Sequence, residues 1–332
     1  MFKRKKPFFF FTLYLVMATT FAVANNETLT PVRIGWQIPW ATQGQIVQIW
    51  KRTDILKKNG LNAEFIGRTY GPLLNELAIA GTVDVILTAD QPAAVLFAKS
   101  TDWMGIARLM YNRTLVYVPS KSPIKTLKEL KGKRIGVPIG AAAERVMVAA
   151  MKRNGLDPLK DIKVVNVGIR EQIPIVASGK NESSWGNLDA LSGFDPTPAI
   201  FESQKLVRVL DVGKVVSLVL VRKSYSVEHK NVSQRIAQSL YDAYDFYRTN
   251  KTQANKWFIQ EAKLRDANNE TCNIAASIEP NLSAIKRSDI RITLDPEDFQ
   301  VLQEAADFVA PIVKKTIRMT DFVTNRFSNQ SH

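Results

Sequence analysis

Three carboxylates stand where a short apolar run gives way to a helical pattern: Asp90, Glu144 and Asp195. Facing one cleft, they would favour a cation, or a heterocycle rich in hydroxyl or amino groups. Groups that make and break bonds are scarce. Cys272 is the single cysteine, set between Thr271 and Asn273 in a stretch that reads as helix. The two histidines are His229, in the polar stretch SVEHKN, and His332, the last residue. That supply assembles neither a zinc cluster nor a Ser-His-Asp triad. The sequence holds no phosphate-binding loop and no serine elbow. What remains is the chemistry of recognition. Gln37, Pro39 and Trp40 follow an apolar run, and Trp40 either stacks on a bound molecule or packs inside the fold. Asp90 and Gln91 open a helix, where Asp90 either meets a ligand or caps the helix. The same choice holds for Asp195, before Pro196. Gly140-Ala141-Ala142-Ala143 precede a helix beginning near Glu144. Bare N–H groups at a helix start attract anions, whereas Glu144 puts negative charge in that same turn. Asn112 and Arg113 lie between two apolar runs, and Arg113 either meets an anion or is solvated. Trp185, in SGKNESSWGN, is either a lid or a surface residue.

These residues need a scaffold, and the hydrophobic pattern supplies one. Residues 32–36 read as a strand and 45–58 as a helix ended by Asn59-Gly60. Strand 61–66, helix 71–80 with Pro72 at a tolerated early position, strand 83–87, helix 91–99 and strand 103–109 follow. This alternation predicts a parallel sheet with helices on both faces. A second set has strands 115–118, 134–137, 163–167, 188–191 and 206–210, with helices 126–130, 144–154, 171–178 and 198–204 between them. Residues 215–222 are β-branched and read as a strand returning to the first set. From about 232 the chain is helical, and Asp295-Pro296-Glu297 starts another helix. The expected class is α/β, with two doubly wound lobes joined by a two-strand hinge. Residues 25–112 plus 218–332 form one lobe and 113–217 the other. Ligands of open α/β sheets sit beyond the carboxyl ends of the strands, and the candidate residues fall there.

A chain of 332 residues is long for one core, which agrees with two lobes. Lys3, Arg4, Lys5 and Lys6, the apolar run 8–18 and Ala22-Val23-Ala24 have the layout of a cleaved secretory signal over residues 1–24. No cysteine near the cleavage point offers a lipid anchor. The signal carries four positives of the net +14, and the other lysines and arginines are scattered. Scattered charge and export together argue against nucleic acid as a partner. One cysteine makes no internal disulfide, so stability rests on burial. Nothing points to an oligomer, and a monomer is the default.

Over roughly residues 32–222 the sequence resembles the periplasmic solute-binding proteins of ABC importers, in the branch for nitrate, sulfonate, taurine and thiamine precursors. The resemblance is carried by VRIGWQIPW, GPLLNELAIAGTVDVILTADQPA, KSPIKTLKELKGKRIGVPIGAAAERVMVAAMKRNGL and LDALSGFDPTPA. The tail IRITLDPEDFQVLQEAADF is similar to the family's last helix. The resemblance implies a type II periplasmic-binding-protein-like fold, a small-molecule solute held between the lobes, and an ABC permease in the inner membrane as partner. It implies no catalysis and no cofactor. Its candidate contacts are Gln37, Pro39, Trp40, Asp90, Gln91, Asn112, Gly140, Ala141, Ala142, Glu144 and Asp195. One departure matters. The family's loop before the helix often carries hydroxyl or amide side chains, and here those positions are alanines. That weakens the case for sulfonate or nitrate and opens one for a larger, less charged or cationic solute. Two rivals share the fold. One is an enzyme like the fungal thiamine-pyrimidine synthases, whose cysteine cluster and active-site histidine this chain lacks. The other is a sensory module that presents its bound state to a receptor.

Overall fold

The computed structural model describes residue 1 and residues 29–328. The expected signal, apart from Met1, and His332 lie outside the described residues. β1 (Thr30–Gln37) leads into α1 (Gln43–Arg52) and the short α2 (Ile55–Lys58). β2 (Leu61–Arg68), α3 (Gly71–Ile79), β3 (Val85–Ala89) and α4 (Asp90–Lys99) complete the first βα series. β4 (Trp103–Pro119) then crosses the molecule. Beyond it come β5 (Arg134–Val137), α5 (Ala142–Arg153), β6 (Lys163–Asn166), α6 (Gln172–Ser178), β7 (Ala190–Phe194) and α7 (Thr197–Ser203). β8 (Val207–Arg222) crosses back. It is followed by α8 (Lys223–Glu228), α9 (Val232–Thr249), α10 (Lys251–Ala262), α11 (Asn269–Ala275) and α12 (Pro296–Val313). Among the described residues, no helix is long and apolar enough to cross a membrane.

The strands form one eight-stranded sheet, ordered β2-β1-β3-β8-β4-β7-β5-β6. β1 pairs in parallel with β2 and β3, and β5 in parallel with β6 and β7. At the centre the pairing reverses. β8 runs antiparallel to β3 and β4, and β4 antiparallel to β7. The sheet is therefore mixed, not parallel as the alternation predicts. The chain traverses the hinge once in each direction, so its two crossing strands must oppose. Those strands are also unbroken. The residue pattern separates 103–109 from 115–118 and 206–210 from 215–222, yet each pair is one strand. Polar Asn112 and Arg113 look like a loop but lie extended in register with Val215 and Lys214. Their partners in that register explain it, as described below. The expected helix 45–58 is two helices. Thr53 ends α1 by donating its hydroxyl to the Ile49 carbonyl at 2.7 Å.

The half-sheets each bury apolar layers. Against the first half, α9 and α10 cover α1, and the Trp50 indole donates to the Ser239 carbonyl at 2.9 Å. α12 covers α4 through Leu302 and Ala306, beside Phe97, which stacks on Phe322 at 4.7 Å. α12 starts cleanly. Asp295 accepts from the Asp298 N–H at 2.8 Å, and Pro296 occupies the first turn. Trp185, expected on the surface or as a lid, is neither. It is buried, reads a short antiparallel bridge with Leu188, and meets the Tyr117 ring edge-on at 6.1 Å.

Asp84 ties three strands of the first half together. It accepts from Arg33 Nη2 at 2.7 Å and Nε at 2.9 Å, and from Arg222. Burial pushes its carboxyl up, but the hydrogen bonds from Arg33 and Arg222 more than offset this and hold it below the ordinary value of 3.8. A depressed carboxyl stabilises the fold above that value and loses this contribution as pH falls through its folded value. Urea unfolding should therefore show a midpoint that drops on acidification below about pH 4. Asp84→Asn should lower the neutral-pH midpoint and flatten the acid dependence; an acid dependence identical to the parent's would contradict the assignment.

Candidate functional site

The crossing point consumes three of the candidate polar residues. The Asn112 amide nitrogen donates to the Ala41 carbonyl at 3.3 Å, and its oxygen accepts from the Ser217 hydroxyl at 2.6 Å. Arg113 is neither solvated nor free for an anion. It is buried and donates to Asp195 at 2.7 Å and to Glu202. Asp195 also accepts the Ala199 N–H at 3.0 Å in the first turn of α7. It therefore both caps that helix and holds Arg113 of β4.

Asp90 and Glu144 are occupied as well. Asp90 opens α4 and is fully buried, with Arg145 of α5 donating to it at 2.6 Å. It also accepts from the Val216 N–H at 3.2 Å and from the Gln91 N–H at 2.7 Å. Burial raises both buried carboxyls, Asp90 and Asp195, and the arginines work against that rise. Glu144 accepts the Gly140 N–H at 2.8 Å, so it caps the start of its own helix. Gly140 has φ +83°, a left-handed conformation that favours glycine. The expectation of three acids facing one cleft as free negative charge is thus corrected. Asp90 and Asp195 are paired with guanidinium groups, and Glu144 accepts a backbone N–H of its own loop.

The remaining candidates divide between cavities. Gln37, Trp40, Ala141 and Ala142 line a narrow cavity of about 10 Å³, where the ends of β1, β2, β3, β5 and β7 converge. Tyr70, Gly71, Ala89, Pro92 and Phe194 complete its wall. Trp40 lies tilted against Phe194, with ring centroids 5.6 Å apart. The Gln37 side-chain amide N–H and the Trp40 indole N–H are buried without an acceptor among the described residues. Tyr70 and Phe194 continue outward into a cavity of about 230 Å³, lined also by Pro138, Asn166 and Arg170. Pro39 lines neither of these and borders a neighbouring space. Gln91 is buried behind the cleft, and its side-chain oxygen lacks a donor among the described residues.

Tyr70, Phe194, Asn166 and Arg170 were not singled out by the residue pattern, although each had a signal. Tyr70 precedes Gly71-Pro72, and the close approach behind that dipeptide shapes the cavity: a Cβ on Gly71 would lie 2.3 Å from Pro92 Cγ. Phe194 precedes Asp195-Pro196, Asn166 ends β6, and Arg170 lies in the loop after it. Cys272 lies apart from the cleft, buried in α11, with burial pushing its thiol up to about 12.

Two half-sheets joined by opposed crossing strands, with a cleft at the carboxyl ends of the outer strands, define the type II periplasmic-binding-protein fold. A family model described as NMT1/THI5 like matches residues 55–254, and the chain belongs to that family. A protein of Escherichia coli (strain K12) described as aliphatic sulfonates-binding is 24% identical over 249 residues, which cover 72% of this chain and 74% of that one. The alkanesulfonate-binding protein SsuA of Xanthomonas axonopodis pv. citri, solved with MOPS bound, superposes with a TM-score of 0.71 at 18% identity. That match covers 89% of this chain and 98% of the other. The desulfurization enzyme DszB has the same fold, with a TM-score of 0.64 at 11% identity over 90% of this chain and 97% of the other.

Removing one partner of a buried ion pair leaves the other charge uncompensated. Arg113→Ala should cost about 3–5 kcal/mol of stability. The double variant Arg113→Ala with Asp195→Asn should recover part of that in urea unfolding, because the buried Asp195 carboxylate is then gone and only the partly exposed Glu202 is left without its partner. Equal losses in the single and double variants would show that the pair is not the source.

Proposed function

We propose that this protein is the extracytoplasmic solute-binding component of an ABC importer, and that it holds a small organic solute with an oxyanion head in the cleft between its half-sheets. The carrying observation is the pair of buried N–H donors, Gln37 Nε2 and Trp40 Nε1, without acceptors at the inner cavity. A buried donor left unpaired costs about 1–3 kcal/mol, and a solute oxygen placed there removes that cost. Arg170 and Glu171 both line the outer cavity; Glu171 accepts the Gly168 N–H at 3.0 Å, and Arg170 has no ion-pair partner among the described residues. With Asp90 and Asp195 already paired, the unpaired buried donors and Arg170 favour an anion over the cation suggested by the residue pattern. Backbone N–H groups at the start of α5 add donors on the facing wall, although Glu144 already takes that of Gly140.

The relatives' names support the same reading, since two describe binding of sulfonates. In this reading the lobes are residues 25–112 with 218–332, and 113–217. The protein works as a periplasmic monomer, without a cofactor, and delivers its solute to an inner-membrane permease. An inner cavity of about 10 Å³ holds no more than a single water. The lobes must therefore part to admit a solute and close around it.

A thermal-shift and calorimetry panel of methanesulfonate, taurine, nitrate, thiamine pyrimidines and polyamines tests this. A ligand that binds only the folded state raises its melting temperature, and sulfonates should do so. Trp40→Phe keeps an aromatic ring but removes the N–H, and should weaken sulfonate binding roughly tenfold. Arg170→Gln should weaken it and reduce its salt dependence. A shift with pyrimidines or polyamines in place of sulfonates would overturn the anion reading.

A further inference from the structure

Away from the cleft, the fold gathers lysines that are spread along the sequence. In SPIKTLKELKGK, residues 122–133, Ile124, Leu127 and Leu130 are buried, while Lys125, Lys128 and Lys131 are exposed. Leu127–Leu130 is a 3₁₀ turn, with three residues per turn. A spacing of three therefore puts the apolar set beneath it and the lysines outside. A second turn, within residues 157–163, is tied to the first. The Gly132 N–H donates to the Asp161 carbonyl at 2.6 Å, and the Lys163 N–H to the Lys133 carbonyl at 2.8 Å. This turn adds Lys160 and Lys163, both exposed. The two turns lead into the amino ends of β5 and β6, which pair from Arg134 opposite Lys163. The cleft lies at the carboxyl ends, so this face is at the other end of those strands.

The acids of the two turns are directed to backbone. Glu129 accepts the Lys125 N–H at 2.8 Å, Asp157 the Leu159 N–H at 3.0 Å and Asp161 the Asp157 N–H at 2.8 Å. Lys131 with Asp161 at 3.4 Å and Lys160 with Asp157 at 3.5 Å are surface pairs, which contribute little. Lys125, Lys128 and Lys163 have no ion-pair partner among the described residues. Beside Lys160, Leu159 is 93% exposed, in the turn that Asp157 fixes.

We propose that this face docks on an anionic phospholipid bilayer, with the lysines over the headgroups and Leu159 entering the interface. The identity of the solute plays no part in it. Lysine is a strongly hydrated point charge on a flexible stem, suited to mobile headgroups that offer no fixed pairing geometry. The two turns hold no aromatic residue, the kind of anchor on which protein interfaces concentrate their affinity. Each lysine near an anionic surface adds an attraction that salt screens, and a protruding leucine adds apolar burial. The hold is reversible and leaves the cleft unobstructed.

Sedimentation with vesicles of phosphatidylcholine alone, and of equal parts phosphatidylcholine and phosphatidylglycerol, tests the face on protein cleaved after Ala24. The protein should bind the mixed vesicles and be released by salt. Lys125→Glu with Lys128→Glu should weaken that binding roughly tenfold or more. Leu159→Ser, which leaves the charge unchanged, should weaken it roughly fivefold. Lys251→Glu with Lys256→Glu makes the same change of charge on exposed positions of α10 and should have little effect. Melting temperatures check that each variant folds. Equal weakening by the two double variants would assign the binding to net charge and overturn the proposal. So would absence of binding to the mixed vesicles, or equal binding to phosphatidylcholine alone. Capture by poly-L-glutamate without vesicle binding would assign the face to an acidic protein instead, and overturns it as well.

Discussion

The antiparallel pairing of β4 with β8, from Trp103 opposite Arg222 to Pro119 opposite Val207, is the constraint on which the molecule depends. It is the part of the sheet that both halves share. β3 attaches to one end through residues 217–221 of β8, and β7 to the other through residues 114–117 of β4. The outer strands then point their carboxyl ends at the gap between, and the loops that leave those ends become the walls of a cleft. Holding two long strands extended through that gap requires their polar side chains to find partners within it. Asn112 finds Ser217 and Ala41, and Arg113 finds Asp195 and Glu202. Recognition therefore falls to the loops and not to the strands that carry them.

The same requirement shapes the electrostatics. A carboxylate taken out of water needs a charged or hydrogen-bonding partner. Asp90 and Asp195 lie deep enough that each has a guanidinium group and a backbone N–H. Negative charge is thus spent inside the fold, and Arg170 stands at the surface of the cleft without such a partner among the described residues. A chain can be read as acid-lined from its loops and still keep Asp90 and Asp195 paired inside the fold, because burial decides which charges remain available.

Much of the architecture was legible in the residues. The βα alternation, the Asn59-Gly60 stop, the Pro72 and Asp295-Pro296 starts and the returning strand near residue 215 all correspond to observed elements. Strand direction was not legible, since a period of two looks the same in parallel and antiparallel ladders. Nor was the continuity of β4 and β8, because Asn112-Arg113 in isolation has the composition of a loop. At the cleft, the pattern selected Gln37, Trp40, Ala141 and Ala142, which do converge on one cavity. It passed over Tyr70 and Phe194, since each sits just ahead of a conspicuous turn dipeptide that drew the attention. Whether Asp90 and Asp195 face solvent or arginine depends on Arg145 and Arg113, 55 and 82 residues distant. No local spacing carries that information.

The late arrival of β8 has a consequence for how the chain acquires its structure. β3 is made early, at residues 85–89, yet its neighbour on one side is residues 217–221. The first half-sheet is thus missing an inner strand until nearly the whole of the second has emerged. Contacts that close so long a stretch of chain form slowly, because the entropy of closing the loop comes before the reward of pairing. Until then β3, buried throughout in the finished fold, presents an open edge. A chain of this kind can complete its sheet only after the return crossing at residues 207–222 has been made.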